Sequence, residues 1–154
     1  MSVVVKRLAE LGLILPPVAK PVAAYLPAVQ SGSYVYTSGQ LPLVGGKLPV
    51  SGKVGAEVTV EQAKDLARVC ALNALAAIEE VCGDLDQVHR VVKVVGFVAS
   101  APDFTGQPAV INGASELLGE VFGDMGLHAR SAVGVAALPL GAPVEVEVQV
   151  ELVG

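Results

Sequence analysis

The stretch 144-VEVEVQVEL-152 decides the fold, because its side chains alternate without a break between apolar and polar. Four valines and Leu152 form the apolar set, and three glutamates and Gln149 form the polar set. A β-strand points successive side chains to opposite faces of a sheet. The stretch therefore predicts a strand that packs one face on a core and leaves the other polar.

Two helices are predicted upstream of this strand. Thr59 and Gln62 match a capping box, which places the start of a long helix that runs to about Cys82. Pro108 suits the first turn of a second helix over roughly 108–122. Apolar residues cover more than half of the first helix and form a stripe along the second, so both are expected to pack on a sheet.

The remaining elements are shorter. Strand-like stretches occur at 28–30, 34–37, 88–98 and 130–138, and residues 3–11 can form a short amphipathic helix. The main order is then β-β-α-β-α-β-β. This order predicts an α+β two-layer sandwich, a single domain over 1–154, with both main helices on one face of the sheet.

The composition predicts association between copies of the chain. Hydrophobic residues make up 53% of the 154 residues, charged residues 16%, and the mean hydropathy is +0.62. A membrane span is not expected, because no stretch of about 20 residues is free of charge, glycine and proline together. We therefore expect the second face of the sheet to be apolar and to be buried between subunits.

The charge argues against a nucleic-acid partner. The net charge is −5 with a pI of about 4.9, and only 4% of residues are aromatic. Such a surface repels a phosphate backbone and offers few rings for base stacking. Cys70 and Cys82 fall in the long helix, too far apart for a disulfide, which is typical of a reduced, cytoplasmic protein.

Familiar catalytic motifs are absent from the sequence. There is no HExxH, no CxxC pair and no phosphate-binding glycine loop, and two histidines cannot supply a three-histidine metal site. We therefore expect the chemistry to come from a small set of polar residues. Arg130 could clamp a carboxylate or pair with an acid on the surface, and Glu145 could be an acid–base group or one of a solvated row.

A family resemblance bears on these alternatives. The segment 130-RSAVGVAALP-139 followed by 144-VEVE-147 resembles the C-terminal signature of the Rid/YjgF family, including the spacing from Arg130 to Glu145. Tyr25 precedes 38-SGQLP-42 as in the family, and Asn112 lies in the second helix where the family has a cleft asparagine. The resemblance covers about 22–152 and makes 1–21 an N-terminal extension containing the short helix.

The resemblance implies a chorismate-mutase-like homotrimer with ligand clefts between subunits. It further implies a cofactor-independent deaminase that converts reactive enamines or imines, such as 2-aminoacrylate, to 2-keto acids and ammonia. Arg130 would clamp the substrate carboxylate and Glu145 would position the attacking water. The substrate-binding residues would be Ser38 and Gly39, the backbone of Ala132, which stands where familiar members have cysteine, and Tyr25 and Asn112 from the neighbouring subunit.

Two other functions remain open at this point. The same cleft could bind a small carboxylate metabolite without turnover. Family members are also called endoribonucleases or translation inhibitors, and the acidic charge of this chain disfavours RNA as the main substrate.

Overall fold

The computed structural model describes residues 2–18 and 23–154. Within these ranges the helices and strands follow in the order α1 (Val3–Glu10), β1 (Ala28–Ser31), β2 (Tyr34–Thr37), α2 (Val60–Cys82), β3 (Val88–Ala99), α3 (Gln107–Phe122), β4 (Ala129–Val135) and β5 (Val144–Leu152). The predicted order of main elements is confirmed.

The described strands form one mixed sheet in the order β1-β2-β5-β3-β4. Strand β4 runs parallel to β3, while the other neighbours are antiparallel. The parallel pair is joined by α3, as a crossover connection requires. This confirms the predicted α+β class and places β4 at the edge of the sheet.

The core lies between the sheet and the helices α2 and α3. Each apolar β5 residue from Val144 to Val150 is at most 1% exposed. Helix α2 starts with the predicted capping box, in which Gln62 N donates to Thr59 Oγ1 at 3.1 Å and Thr59 N donates to Gln62 Oε1 at 2.9 Å. A β-carbon at Gly113 would overlap the Lys64 backbone, so only glycine allows α3 to approach α2 this closely.

The second face of the sheet, called the open face below, is less apolar than expected. Large exposed apolar side chains occur on its outer strands, namely Val29, Tyr34, Tyr36 and Val133. Strand β5, in the middle, presents Glu145, Glu147, Gln149 and Glu151 between them. The prediction of an apolar face is therefore wrong for its centre, because the polar half of the β5 alternation points there.

The start of helix α1 is fastened to the body of the protein by one carboxylate, and its buried residues Val4 and Leu8 pack into the core. Asp86 accepts hydrogen bonds from Val3 N at 2.8 Å, Val4 N at 3.0 Å and Ser2 Oγ at 2.8 Å. These hydrogen bonds lower the pKa of Asp86, and the bond from Val4 N has the largest effect. The predicted extension 1–21 is thus docked at its helix, while Met1 and residues 19–21 lie outside the described residues.

The end of strand β4 differs from the sequence prediction. Strand β4 ends at Val135 rather than Leu138, because the chain turns at 139–141. His89 is exposed on β3, Cys82 is half-buried and Cys70 is fully buried. In the described part of the chain, no helix combines the length and the apolar character needed to span a membrane.

Candidate functional site

Arg130 lies on the edge strand β4 and faces helix α3. Its Nη1 donates to Asn112 Oδ1 at 2.7 Å and to Ser115 Oγ at 3.2 Å. Asn112 and Ser115 are three residues apart, which places them on the same side of the helix. Both hydrogens of Nη1 are thereby used, and the plane of the guanidinium is fixed.

The opposite edge of the guanidinium keeps its donors. Among the described residues, no hydrogen bond or ion pair involves Arg130 Nε or Nη2. These two nitrogens form the fork that binds a carboxylate through two parallel hydrogen bonds. The half-buried Arg130 therefore keeps a pair of donors whose geometry suits a carboxylate.

His128 completes this group and was not identified as a site residue from the sequence. Its Nε2 lies 2.9 Å from Ser115 Oγ, and its Nδ1 lies 2.6 Å from the Gly126 carbonyl oxygen. Burial lowers the pKa of His128, the positive charge of Arg130 lowers it further, and the Gly126 carbonyl opposes the shift. We call Asn112, Ser115, His128 and Arg130 the anchor cluster.

Glu145 lies on β5 and points to the open face of the sheet. Burial raises the pKa of its carboxyl, and the nearby Glu147 raises it further. A β-carbon at Gly39 would lie 2.7 Å from Glu145 Cδ, so the backbone at Gly39 runs directly against this carboxylate. A desolvated carboxylate with a raised pKa is a suitable general base.

The segment around Gly39 is held in place from both sides. Gln40 N donates to the Val146 carbonyl at 2.8 Å, and Val146 N donates back at 3.0 Å. Ser38 N donates to the Pro27 carbonyl at 2.8 Å and the Ser38 hydroxyl donates to the Leu26 carbonyl at 2.5 Å, so Ser38 continues the pairing of β1 with β2. We call Ser38, Gly39 and Glu145 the acid cluster.

Tyr25 is 56% exposed and borders a groove beside the acid cluster. This groove has a volume of about 430 Å³ and is lined by Ala24, Tyr25, Leu26, Val29, Tyr36, Thr37 and Ser38. It could receive a small ligand or a side chain from another subunit.

The two clusters project from opposite faces of the sheet. Arg130 pairs with Val94, which is fully buried under the helices, whereas Glu145 pairs with Phe97, whose side chain alternates to the other face. Ala132 lies two residues after Arg130 and shares its face. Within one chain, the structure brings together Arg130 and Asn112, and separately Gly39 and Glu145. The resemblance had placed Asn112 in a neighbouring subunit, but Asn112 binds Arg130 of its own chain.

Metal ligation has little support in this arrangement. Across residues 2–18 and 23–154, no three histidine, cysteine, aspartate or glutamate side chains are grouped so that they could hold a metal ion.

The comparisons with known proteins agree with these motifs. Residues 5–152 match the family model for YjgF/chorismate-mutase-like proteins, a family also described as candidate endoribonucleases. Protein TCP17 of Trypanosoma cruzi is 49% identical over 152 residues, which cover 97% of this chain and 94% of that protein. A 2-iminobutanoate/2-iminopropanoate deaminase of Dermatophagoides farinae is 34% identical over 137 residues, 88% of this chain and 91% of the relative.

A solved structure is similarly close. The crystal structure of Atu1372, a protein of unknown function from Agrobacterium tumefaciens, superposes with a TM-score of 0.91 at 47% identity. The match covers 98% of this chain and 93% of the other. With a family model that spans nearly its whole length, this chain belongs to the Rid/YjgF family and has its chorismate-mutase-like α+β fold.

Proposed function

We propose that the protein hydrolyses reactive enamines and imines of the 2-aminoacrylate type to 2-keto acids and ammonia, without a metal or cofactor. The observation that carries this proposal is the guanidinium of Arg130, which Asn112 and Ser115 hold through Nη1 while the Nε–Nη2 fork stays available. The family includes an imine deaminase at 34% identity, which supports the same reaction class.

An imine is already electrophilic, so the site needs to position it rather than activate it covalently. Arg130 would hold the substrate carboxylate, and Glu145 would take a proton from the water that attacks the imine carbon. The backbone at Gly39 and Ala132 would hydrogen-bond the nitrogen-bearing end. Ser38, Tyr25 and Asn112 would line the cleft. The proton taken up by Glu145 passes to the nitrogen, and collapse of the resulting carbinolamine releases ammonia and leaves the 2-keto acid.

The opposite orientations of Arg130 and Glu145 require a second chain in this mechanism. We propose a homotrimer in which the acid cluster of one copy faces the anchor cluster of the next. A cyclic assembly with head-to-tail contacts repeats such a pairing at every interface. The exposed apolar residues of the outer strands, Val29, Tyr36 and Val133 among them, would be covered by this contact. We also propose the cytoplasm as its compartment.

The test is a coupled assay in which a serine or threonine dehydratase generates the enamine in place. Added wild-type protein is expected to accelerate the release of keto acid, and Arg130→Ala is expected to lose that acceleration. Arg130→Lys separates charge from geometry, because lysine keeps the charge but lacks the two-pronged fork. An Arg130→Ala protein as fast as the wild type would overturn the proposal.

The same assay separates the non-catalytic alternative. A protein that only binds a carboxylate metabolite would bind 2-ketobutyrate saturably and in an Arg130-dependent way, yet would leave the rate of keto-acid release unchanged. The anchor cluster is complete within one chain, so this outcome would indicate that the acid cluster never reaches it.

A further inference from the structure

The ring of His128 has one protonation pattern that satisfies both of its contacts when it is neutral. The Gly126 carbonyl can only accept, so Nδ1 carries the proton and donates over 2.6 Å. Nε2 is then an acceptor, and the Ser115 hydroxyl donates a hydrogen bond to it over 2.9 Å. When His128 is neutral, the Ser115 hydroxyl therefore donates to His128, while the Ser115 oxygen accepts a hydrogen bond from Arg130 Nη1.

Protonation reverses one of these bonds. Nε2 becomes a donor, and the Ser115 oxygen can accept from His128 and Arg130 together because a hydroxyl has two acceptor sites. The Ser115 hydroxyl then no longer donates its hydrogen bond to His128 and can donate it to a third group. A second positive charge also arises two hydrogen bonds away from the guanidinium of Arg130.

We propose that the anchor cluster is a proton-linked anion site, in which protonation of His128 adds a second positive charge that Ser115 links to the guanidinium holding the carboxylate. A carboxylate then binds more tightly to the protonated form, and its binding takes up a proton. This inference rests on the proposed role of Arg130 as the carboxylate anchor.

The surroundings of His128 support this coupling. The charged and titratable residues on the elements packed around it are His89, Arg90 and Lys93 of β3, Glu116 and Glu120 of α3, Asp124 of the turn before β4, and Arg130 of β4 itself, and Glu120 is paired with Arg68. Glu116 is paired with Lys64 at 3.1 Å, and Arg90 donates to the Leu127 carbonyl at 3.4 Å. Burial is the main cause that lowers the pKa of His128 below 6.5, and the positive charge of Arg130 lowers this pKa further.

A carboxylate bound to Arg130 offsets that charge, so the pKa of His128 is higher in the complex than in the free protein. By linkage, affinity is lowest where His128 is neutral in both states, and it rises as the pH falls through these two pKa values. The ring of His128 and a carboxylate on the opposite edge of the guanidinium are roughly 9 Å apart, and in a partly solvated site the gain is about 3- to 10-fold in affinity.

The experiment follows the ring nitrogens of His128 by NMR during pH titration, with and without saturating 2-ketobutyrate. His89→Gln removes the other histidine, which is exposed, and leaves a single ring to observe. Free protein is expected to titrate below pH 6.5 with the proton on Nδ1 in the neutral form. Saturation is expected to raise this pKa by about half a unit to one unit.

Calorimetry of 2-ketobutyrate binding between pH 8 and 5 gives the second readout. Wild-type affinity is expected to increase about 3- to 10-fold as the pH falls, with proton uptake. His128→Gln should abolish this dependence, and Ser115→Ala should reduce it. Glu145 also has a raised pKa and would give an effect of the same sign, so Glu145→Gln must retain the dependence.

The outcomes separate this inference from the proposed function. If 2-ketobutyrate binds and Arg130→Ala abolishes binding, but the pKa of His128 does not move, the proton linkage is wrong and the anchor stands. If the dependence on pH survives in His128→Gln, the linkage is also wrong. If wild-type protein does not bind 2-ketobutyrate at any pH, both the anchor and the linkage are overturned.

Discussion

The anchor cluster and the acid cluster differ in how far one chain completes them. The anchor cluster lies between α3 and the edge strand β4, and each of its side chains has a partner within the chain. In the acid cluster, Glu145 is packed against the backbone at Gly39, and no ion pair among the described residues includes it. The chain thus completes the anchor cluster by itself and leaves the acid cluster facing outward.

The distance between the two halves makes the same point. Strands β4 and β5 are separated by β3, which puts their backbones about 10 Å apart, and the two side chains leave opposite faces. One small substrate cannot touch both within one chain. A neighbouring copy supplies the simplest solution, and the predictions below test that arrangement from the largest expected effect to the smallest.

The largest effect is expected from mixing two inactive variants. Arg130→Ala and Glu145→Gln should each lower kcat/KM at least about 100-fold, because each removes one charged group of the reaction. If the halves come from different copies, co-refolded mixtures regain about a quarter of the active sites, since one neighbour supplies each intact residue. The enamine assay on the mixture measures this, and no recovery would show that both residues act within one chain.

A second prediction concerns the fixed side of the guanidinium. Asn112→Asp keeps an acceptor for Arg130 Nη1 but adds a negative charge beside the carboxylate fork. We expect KM to rise about 10- to 100-fold with little change in the free energy of unfolding. Asn112→Ala, which removes the acceptor without adding charge, should raise KM less. Equal effects of the two variants would mean that Arg130 does not bind an anion.

A third prediction concerns the contact between Gly39 and Glu145. Gly39→Ala places a methyl group where the carboxylate lies, so Glu145 must move. We expect kcat to fall about 10-fold and stability to fall by about 1–3 kcal/mol, as in other overpacked sites. Gly119→Ala on α3 is the matched control, because a β-carbon at Gly119 would have no neighbouring atom within 4 Å. Its activity should be unchanged in the enamine assay.

The fourth prediction follows from the raised pKa of Glu145. A general base must be ionised, so kcat should fall as the pH drops through a value above 4.5. The raised pKa also means that the folded state holds this proton more tightly than the unfolded state, so ionised Glu145 costs stability at higher pH. Glu145→Gln should therefore be as stable as wild type at pH 4, below the ordinary pKa of 4.5, and slightly more stable at pH 8, by less than about 1 kcal/mol because water screens a half-buried group. Thermal unfolding at both pH values checks the sign.

The fold could be predicted largely because local patterns and tertiary demands agree. The alternation in 144–152 and the capping box at Thr59 each gave the correct element and its start. The ends of β1, β3 and β4 were displaced by one to three residues because strand pairing determines them, and β3–β4 pairing stops at Val135. The polar centre of the open face was implied by the β5 alternation itself, although the overall composition suggested an apolar surface.

The candidate site was predictable only in part. Arg130, Asn112 and Glu145 could be found through their family spacing, but their distribution over two faces depends on strand order, which no local pattern encodes. Ser115 and His128 were missed as partners of Arg130. The three-residue spacing of Asn112 and Ser115 on α3 could have indicated Ser115. His128 had no such signal, because the turn at 123–126 sets the direction of its ring.

The smallest effect on turnover is expected far from both clusters, at the carboxylate that caps α1. Asp86→Ala removes the acceptor for Val3 N and Val4 N, so the helix at 3–10 should exchange its amide hydrogens faster. The expected loss of stability is about 0.5–2 kcal/mol, the usual cost of a lost N-terminal cap. Turnover should stay within about twofold of wild type, since Asp86 contacts neither cluster. Asp65→Asn on the exposed side of α2 is the control for removing an acid. A large loss of activity in Asp86→Ala alone would mean that α1 takes part in assembling the two halves of the site.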